Sequence, residues 1–546
     1  MREHFIRNTC VIFALIGIML YPVIVYSLTN HIGIGYLVSS TIFVLPVLII
    51  LLSIRQKWLY CLMVVMLTFF SLVDLTMVDL YHEYLLPGGI ISTIQTNSQE
   101  AIEFYRTNLY EIWHWLPVIV LCVISCWLYR PFLSWKKIFV CLFVCIAIPS
   151  AFIAYKLTCV HSYKITLHFY LDNRVWNRPP FNVPFQFYNA HVLLKHKRLC
   201  ENMKNIDMGA CRENVPNAKQ EIYVFAIGES LRYRNLSLNG KYSRSTTPRL
   251  ESYTNLILFD DYYSQACLTM FSVPMLITRA TADNFELNYA ERSIIEPFRE
   301  CGFNVYTIVN QTNLLSYEYH LSDGVDSLIV VPNIVKDGEI VSGDKTIVQI
   351  IDSLADVHDK LFVMCEFLGN HSFFTNYEKE FEKYNPNSNN CTQDMVHDSV
   401  MLNNAYDNSI LYTDYILSSI IECINRPNAI SALMFVSDHG EYIGKEGVGH
   451  GGDCTPNKDE YHVPYIFWWS DSYAESYPEK ICSAITHKQS RINGDNMYYT
   501  LCGMAGIVLD SIYSMPSWDI LSTDFQEHQR LIMVPDGKTT IKPDKD

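Results

Sequence analysis

The chain has 546 residues, half of them hydrophobic and 18% charged, with a formal net charge of −15. That acidic balance, with no basic stripe, excludes a nucleic-acid backbone as partner, because phosphates need clustered Lys and Arg. The 17 cysteines divide into six inside long apolar stretches, where they serve as small apolar residues, and eleven after them.

Residues 1–157 read as a transmembrane domain. They hold five long apolar stretches, at 9–29, 33–53, 58–80, 112–129 and 138–155. Each is close to the ~20 residues that cross a bilayer. Arg2 and Arg7 precede the first, Arg55 and Lys57 separate the second and third, and Arg130, Lys136 and Lys137 separate the fourth and fifth. The other two loops carry Arg106 as their only Lys or Arg. By the positive-inside rule the N-terminus is cytoplasmic, and an odd number of spans puts the rest of the chain outside. The first stretch is long and lacks a small-residue cleavage site before Asn30, so it reads as a retained span rather than a signal peptide.

Residues 158–217 read as a linker. Trp176, Phe181, Phe185, Phe187 and Tyr188 mix there with Arg174 and Arg178. This suits either a segment at the membrane surface or an aromatic loop packed on the soluble domain. Disulfides are possible in the exported part. Cys200 and Cys211 are the expected pair, because the polar segment between them reads as a loop.

Residues 218–546 suffice for one large α/β domain with a substantial core. Short apolar runs in it read as buried strands of a mostly parallel sheet. Glu221–Ile227 ends in Gly228-Glu229-Ser230. Asn255–Asp260 leads to a loop containing Thr269. Leu361–Cys365 leads to Gly369-Asn370-His371, and Ala432–Val436 to Ser437-Asp438-His439-Gly440. Open α/β sheets build sites at the carboxyl ends of their strands, so one rim gathers Glu229, Thr269, His371, Asp438 and His439.

Each residue alone has a plainer explanation. Asp438 with Gly440 fits a strand-to-loop turn, Glu229 a helix start and His371 a polar loop. His450, between Gly449 and Gly451, fits a turn, and Thr269 a helix cap. The recurrence of one structural context favours a joint site. Carboxylate and imidazole together suit zinc better than magnesium or calcium. A helix N-terminus at Thr269 favours an anion, and zinc, which lowers the pKa of bound water to about 7, should activate a threonine hydroxyl in the same sense. The activated hydroxyl could attack phosphorus and give a phospho-threonine.

Gly228-Glu229-Ser230, Asn235–Gly240, Thr247-Pro248, and Thr269 before Ser272-Val273-Pro274 resemble the catalytic opening of the lipid A phosphoethanolamine transferases. That family includes the mobile colistin-resistance enzymes and belongs to the alkaline phosphatase/sulfatase superfamily. Gly369-Asn370-His371, Asn404–Asn408, Thr413-Asp414, Ser437–Glu441 and Val463-Pro464 follow in family order, and the resemblance covers nearly the whole chain. It implies that Glu229, Thr269, Asp438 and His439 bind a catalytic zinc. It implies that His371 and His450 bind a second zinc, or the phosphoryl and leaving groups. Thr96 and Glu100 match positions that contact the lipid donor, and Ser92 stands where relatives often have asparagine. Gln265 and Met275 stand where well-known relatives have a disulfide-bonded pair around the nucleophile, so packing must hold Thr269. The lysine near the phosphate in some relatives has no counterpart around Asn310–Leu315.

The resulting expectation is five transmembrane helices followed by an exported sulfatase/alkaline-phosphatase-like α/β domain with a mostly parallel sheet. The expected enzyme is a monomer in the bacterial inner membrane, with its catalytic domain in the periplasm. It moves phosphoethanolamine from phosphatidylethanolamine to lipid A or a related envelope glycolipid through phospho-threonine. Transfer to core sugar or glycan, transfer of phosphoglycerol, and a membrane-tethered phosphodiesterase or sulfatase are the alternatives. Sulfatases need a Cys/Ser-x-Pro-x-Arg context, and Ser272-Val273-Pro274-Met275-Leu276 lacks the arginine. A non-catalytic sensor is disfavoured by the full ligand set.

Overall fold

The computed structural model describes residues 2–30, 32–81, 84–87, 90, 115–131, 143, 147, 150–151, 175–201, 203, 206–212, 215–216, 219–311, 317–336, 339–371, 374, 377–386, 399–444, 447–450, 456–534, 537 and 539–543. The chain divides into two compact units, Met1–His196 and Lys197–Asp546.

In the first unit, helices α1 (Arg2–Thr29), α2 (Ile34–Ser53) and α3 (Lys57–Tyr81) coincide with the first three apolar stretches. They are the three described helices long and apolar enough to cross a membrane. The fourth stretch forms a shorter apolar helix, α4 (Leu116–Leu128). The fifth, 138–155, falls almost wholly outside the described residues. Val11, Leu15, Ile18, Val44, Leu48, Val64 and Val118 make a common core, while Phe13, Phe69 and Trp127 face outward. Several hydroxyls in these helices bond internally, which suits a hydrocarbon surrounding. Thr68 donates to the Val64 carbonyl and Ser71 to the Ile18 carbonyl, both at 2.8 Å.

Part of the expected linker is helical, α5 (Asn182–Glu201), and the division between the units falls inside it. Its proline, Pro184, sits in the first turn, where a missing N–H costs nothing. Just before α5, the Arg178 guanidinium lies 3.9 Å above the Tyr36 ring. Asn182 donates to Asp74 Oδ1 at 2.7 Å. Cys200 and Cys211 do not pair: both are free thiols. Cys200 is buried in α5, whereas Cys211 is exposed on a short strand paired with Val508, so folding holds them in different surroundings.

The second unit is built on a seven-stranded mixed sheet. Its strands are β1 (Glu221–Gly228), β2 (Leu256–Leu258), β3 (Asn304–Val309), β4 (Ser327–Val330), β5 (Lys360–Glu366), β6 (Ile430–Ser437) and β7 (Tyr465–Trp469). Their spatial order is β2-β7-β6-β1-β5-β3-β4. The pairings from β6 to β4 are parallel, and β7 runs antiparallel to both β6 and β2. Strands β1 and β6 are buried along their whole length, as strands covered on both faces must be.

Alternation divides these strands between two cores. Tyr223, Phe225, Ile227, Phe362, Met364, Met434 and Val436 face one, with Val273, Leu276 and Ile277 of helix α6 (Thr269–Ile277). Val224, Ala226, Val363, Leu433 and Phe435 face the other. There they meet Ile347 and Ile351 of α7 (Gly343–Val357) and Leu402, Ile410 and Ile420 of α8 (Ser399–Ile424).

The start of β1 is clamped by a buried ion pair. Arg212 Nη1 and Nη2 reach Glu221 Oε1 and Oε2 at 2.9 and 2.7 Å. Both side chains are under 5% exposed. Arg212→Ala would leave a buried carboxylate without its cation, a change that costs about 3–5 kcal/mol. Urea denaturation of the second unit should therefore shift to clearly lower concentration. An unchanged midpoint would show that the pair does not hold this edge of the sheet.

Candidate active site

Parallel pairing sets the ends of the central strands level. Ser437 pairs with Gly228, and Ile227 with Glu366. The ladder runs on past the strands: Asp438 N donates to the Gly228 carbonyl and Phe367 N to the Ile227 carbonyl, both at 2.9 Å. Ile227, Met364 and Val436 point toward the α6 core. Two residues further along come Glu229, Glu366 and Asp438, on the side where α6 begins.

Glu229, Asp438 and His439 offer ligand atoms that all lie within 4.8 Å of one another, and all three residues are buried. Thr269 is the first residue of α6, half-buried, and its hydroxyl is turned into this group rather than used as a cap. Thr269 Oγ1 is 3.2 Å from His439 Nε2 and 3.4 Å from Glu229 Oε2. His439 Nε2 lies 3.3 Å from Asp438 Oδ2 and 3.5 Å from Glu229 Oε1.

Two features fit this group to a divalent cation. Asp438 Oδ2 is buried with no hydrogen-bond partner, a costly state for a carboxylate oxygen unless a cation meets it. His439 Nδ1 lies 3.0 Å from the Gly440 carbonyl and donates to it, which leaves the Nε2 lone pair facing the carboxylates. Burial, with His450 beside it, holds the His439 imidazole well below its usual pKa, in the neutral form that ligates metal. Burial, then the Glu229 carboxylate, pushes Asp438 well above the carboxylate range. Two carboxylates and one imidazole are a donor set that suits zinc.

The backbone here is specialised. Ser230 has φ 58°, rare for a non-glycine residue and typical of functional turns. It is held by its N–H to Asp438 Oδ1 at 3.1 Å and by Tyr406, whose hydroxyl donates to its carbonyl at 2.7 Å. Gly440 allows a close approach: a Cβ there would lie 2.0 Å from the Asp459 carbonyl oxygen.

His450 joins the group. Its ring centroid is 4.0 Å from that of His439, and its Nδ1 is 3.1 Å from Glu441 Oε2. Burial lowers its pKa, but the Glu441 carboxylate outweighs burial and raises it to about 9. His371 follows Leu368-Gly369-Asn370, a turn in which Asp344 accepts from the N–H groups of Leu368 and Gly369 at 3.1 Å. His371 is exposed, and its charge bears on His439. Ser92, Thr96 and Glu100 lie outside the described residues.

Several neighbours carried no clear sequence signal. Gln311 Nε2 donates to Glu229 Oε2 at 3.3 Å, and Ser230 Oγ donates to Glu229 Oε1 at 2.6 Å. Glu366 ends β5 behind the site, accepting from the Tyr317 hydroxyl at 2.8 Å. Burial pushes its carboxyl up to about 8. A carboxylate closing an apolar run was the one available hint. Other motif residues brace loops instead. Asp407 accepts from Asn235 and Arg244, and Asp414 from the N–H groups of Arg249 and Leu250. Gln265 Oε1 accepts from Ala282 N at 2.9 Å, while Met275 packs with Ala266, Ala280 and Ala282.

A buried carboxylate–imidazole cluster beside a hydroxyl, at the carboxyl rim of an α/β sheet, is a geometry that could hold a metal ion beside a nucleophile. The sulfatase family pattern matches residues 221–507, more than half of the chain, and the chain belongs to that family. Among characterised relatives, the phosphoethanolamine transferase EptA of Escherichia coli K12 is 24% identical over 347 residues, covering 60% of this chain and 61% of EptA. The match thus spans about three fifths of the length of that relative. The integral membrane lipooligosaccharide phosphoethanolamine transferase A of Neisseria meningitidis superposes with a TM-score of 0.56 at 20% identity, covering 94% of this chain and 98% of that one. The C-terminal periplasmic domain of EptC from Escherichia coli, in complex with Zn, gives a TM-score of 0.53 at 22% identity, covering 61% of this chain and 95% of that one.

Proposed function

We propose that the chain is a zinc-dependent phosphoethanolamine transferase of the bacterial inner membrane, with five spans and a periplasmic catalytic unit. The donor is phosphatidylethanolamine, and the acceptor is lipid A or a related envelope glycolipid. The observation that carries this reading is Thr269 Oγ1, 3.2 Å from His439 and 3.4 Å from Glu229 in a cluster suited to a metal. The names of the relatives support the transferred group, and the zinc complex of the EptC domain supports the metal. The missing arginine after Pro274 argues against a sulfatase within the same family.

Glu229, Thr269, Asp438 and His439 would hold the zinc. When bound, it supplies positive charge that favours the ionised threonine and the charge developing on phosphoryl oxygens. Thr269 Oγ attacks the donor phosphorus, and the bond from phosphorus to the diacylglycerol oxygen breaks. A hydroxyl or phosphate of the acceptor then attacks the same phosphorus and frees Thr269. His371 and His450 flank the cluster and are the groups available to phosphoryl oxygens and the leaving oxygen. Their use as ligands of a second zinc belongs to the same reading.

Purified full-length protein, given phosphatidylethanolamine labelled in its head group together with lipid A, should move the label to lipid A. Label released to water as free phosphoethanolamine, with none on the glycolipid, would make the protein a hydrolase. Transfer only from phosphatidylglycerol would make it a phosphoglycerol transferase.

The loop before the fourth apolar stretch should recognise the donor. Thr96 and Glu100 are four apart and share a face if the segment is helical, and Glu100 can meet an ammonium group. Replacing both with alanine should lower use of the lipid donor about tenfold or more, the scale of a lost charged hydrogen bond. Zinc content and cleavage of a small soluble phosphodiester should persist. A parallel fall in lipid and soluble-substrate turnover, or no fall in either, would count against donor binding by this loop.

A further inference from the structure

Thr269 needs a fixed distance to Glu229, Asp438 and His439, and among the described residues the nearby Cys267 is a free thiol. Gln265 and Met275 flank it, and neither can form a disulfide. What joins α6 to the ligand-bearing loop is a pair of buried hydroxyls. Ser272 Oγ donates to the backbone carbonyl of Asp438, and so does Ser264 Oγ. The two hydroxyls are 3.0 Å from each other. Ser264, Ser272 and Asp438 are each at most 1% exposed.

A serine hydroxyl has one proton. Two protons here serve the Asp438 carbonyl, the neighbouring hydroxyl, and the Ala266 carbonyl, 3.0 Å from Ser264 Oγ. The hydroxyls therefore act as one unit: removing either changes what the other can donate to. The unit ends at the residue whose carboxylate and whose neighbour, His439, converge on Thr269. Ser272 lies three residues after Thr269, so both project from one face of α6. The path from Asp438 through Ser272 and one helical turn to Thr269 closes on itself through the contact with His439.

We propose that Ser264 and Ser272 are positioning residues, a hydrogen-bonded clasp on the Asp438 carbonyl that sets the nucleophile against the metal ligands. This rests on the reading of Thr269 as nucleophile. Gln265 supports the clasp from outside. Its side chain accepts from Ala282 N and its carbonyl from Met533 N at 2.7 Å, which ties the loop before α6 to segments on either side. Neither serine touches the reacting atoms, so its effect must come through the placement of Thr269. Misplacement of a reacting group by about 1 Å can cost about 100-fold in rate.

The test is the rate of label transfer from head-group-labelled phosphatidylethanolamine onto the enzyme in a single turnover. It is expressed per bound zinc, so that unfolded protein drops out. Ser272→Ala and Ser264→Ala should each slow this step about 10- to 100-fold. KM for the lipid should change little, and zinc per folded molecule should persist. The double variant should be little slower than the slower single one, because the pair acts as a unit. Single-variant rates within twofold of the parent would overturn the clasp. So would multiplicative losses in the double variant, or zinc content that falls in step with rate. Peptide mapping of the labelled parent separates the two readings. Label absent from Thr269 there defeats the nucleophile assignment, whereas label on Thr269 formed at full rate in the variants defeats only the clasp.

Discussion

Thr269→Ala should abolish phosphoethanolamine transfer, by at least about a thousandfold, while the protein stays folded and in the membrane. Loss of a covalent nucleophile acts on that scale because no neighbouring group replaces the attacking oxygen. Here Thr269 Oγ1 lies 3.2 Å from the imidazole of His439 and 3.4 Å from the carboxylate of Glu229, neither of which can take over the attack if they hold the metal. The substitution removes a hydroxyl from a half-buried helix start and leaves the α6 core of Val273, Leu276 and Ile277 untouched, so stability should hold. Thr269→Ser keeps the oxygen and should keep part of the rate. Near-normal turnover by Thr269→Ala would rule out the covalent route.

Glu229→Ala or Asp438→Ala should strip the protein of zinc. Each change takes a negative charge and a ligand atom from the buried group proposed to hold the cation. Even supporting residues around metal sites cost about 10- to 100-fold in affinity, so loss of a direct ligand should cost more. Metal analysis of the purified protein should find at least one tightly held zinc in the parent and little in either variant. A chelator should reproduce the loss of activity, and added zinc should restore it only in the parent. Full zinc occupancy in both variants would point to a different site.

The rim was readable because its logic is local. Apolar runs that stop at Gly228, Glu366 and Ser437 mark strand ends, and parallel register sets those ends side by side. Thus Glu229, Asp438, His439 and Thr269 could be named together from sequence, and the fold brings them together. Residues recruited by distance alone were not readable. Gln311 reaches Glu229 across 82 positions of sequence, and nothing in its local pattern distinguishes it from a loop amide. The strain at Ser230 is also invisible in sequence, since serine carries no signature of positive φ.

Other departures have similar causes. The run Tyr465–Trp469 is as apolar as its parallel neighbours, so composition does not reveal that it runs antiparallel. Aromatics and prolines obscured α5, although Pro184 falls in a first turn that tolerates it. The Cys200–Cys211 pairing failed because nearness in sequence does not fix nearness in space. Asp407 and Asp414 stand within segments that resemble the transferases, and their carboxylates brace loops.

The central claim is transfer of phosphoethanolamine to an envelope glycolipid. Mass spectrometry of envelope lipids from isogenic bacteria with and without the gene tests it most directly. The account predicts a lipid A or related glycolipid species heavier by one phosphoethanolamine only when the gene is present, with fragment ions that locate the modified group. It also predicts that this species is absent when the gene carries Thr269→Ala. Identical glycolipid profiles with and without an expressed, membrane-inserted protein would contradict it, as would a gene-dependent mass that corresponds to phosphoglycerol.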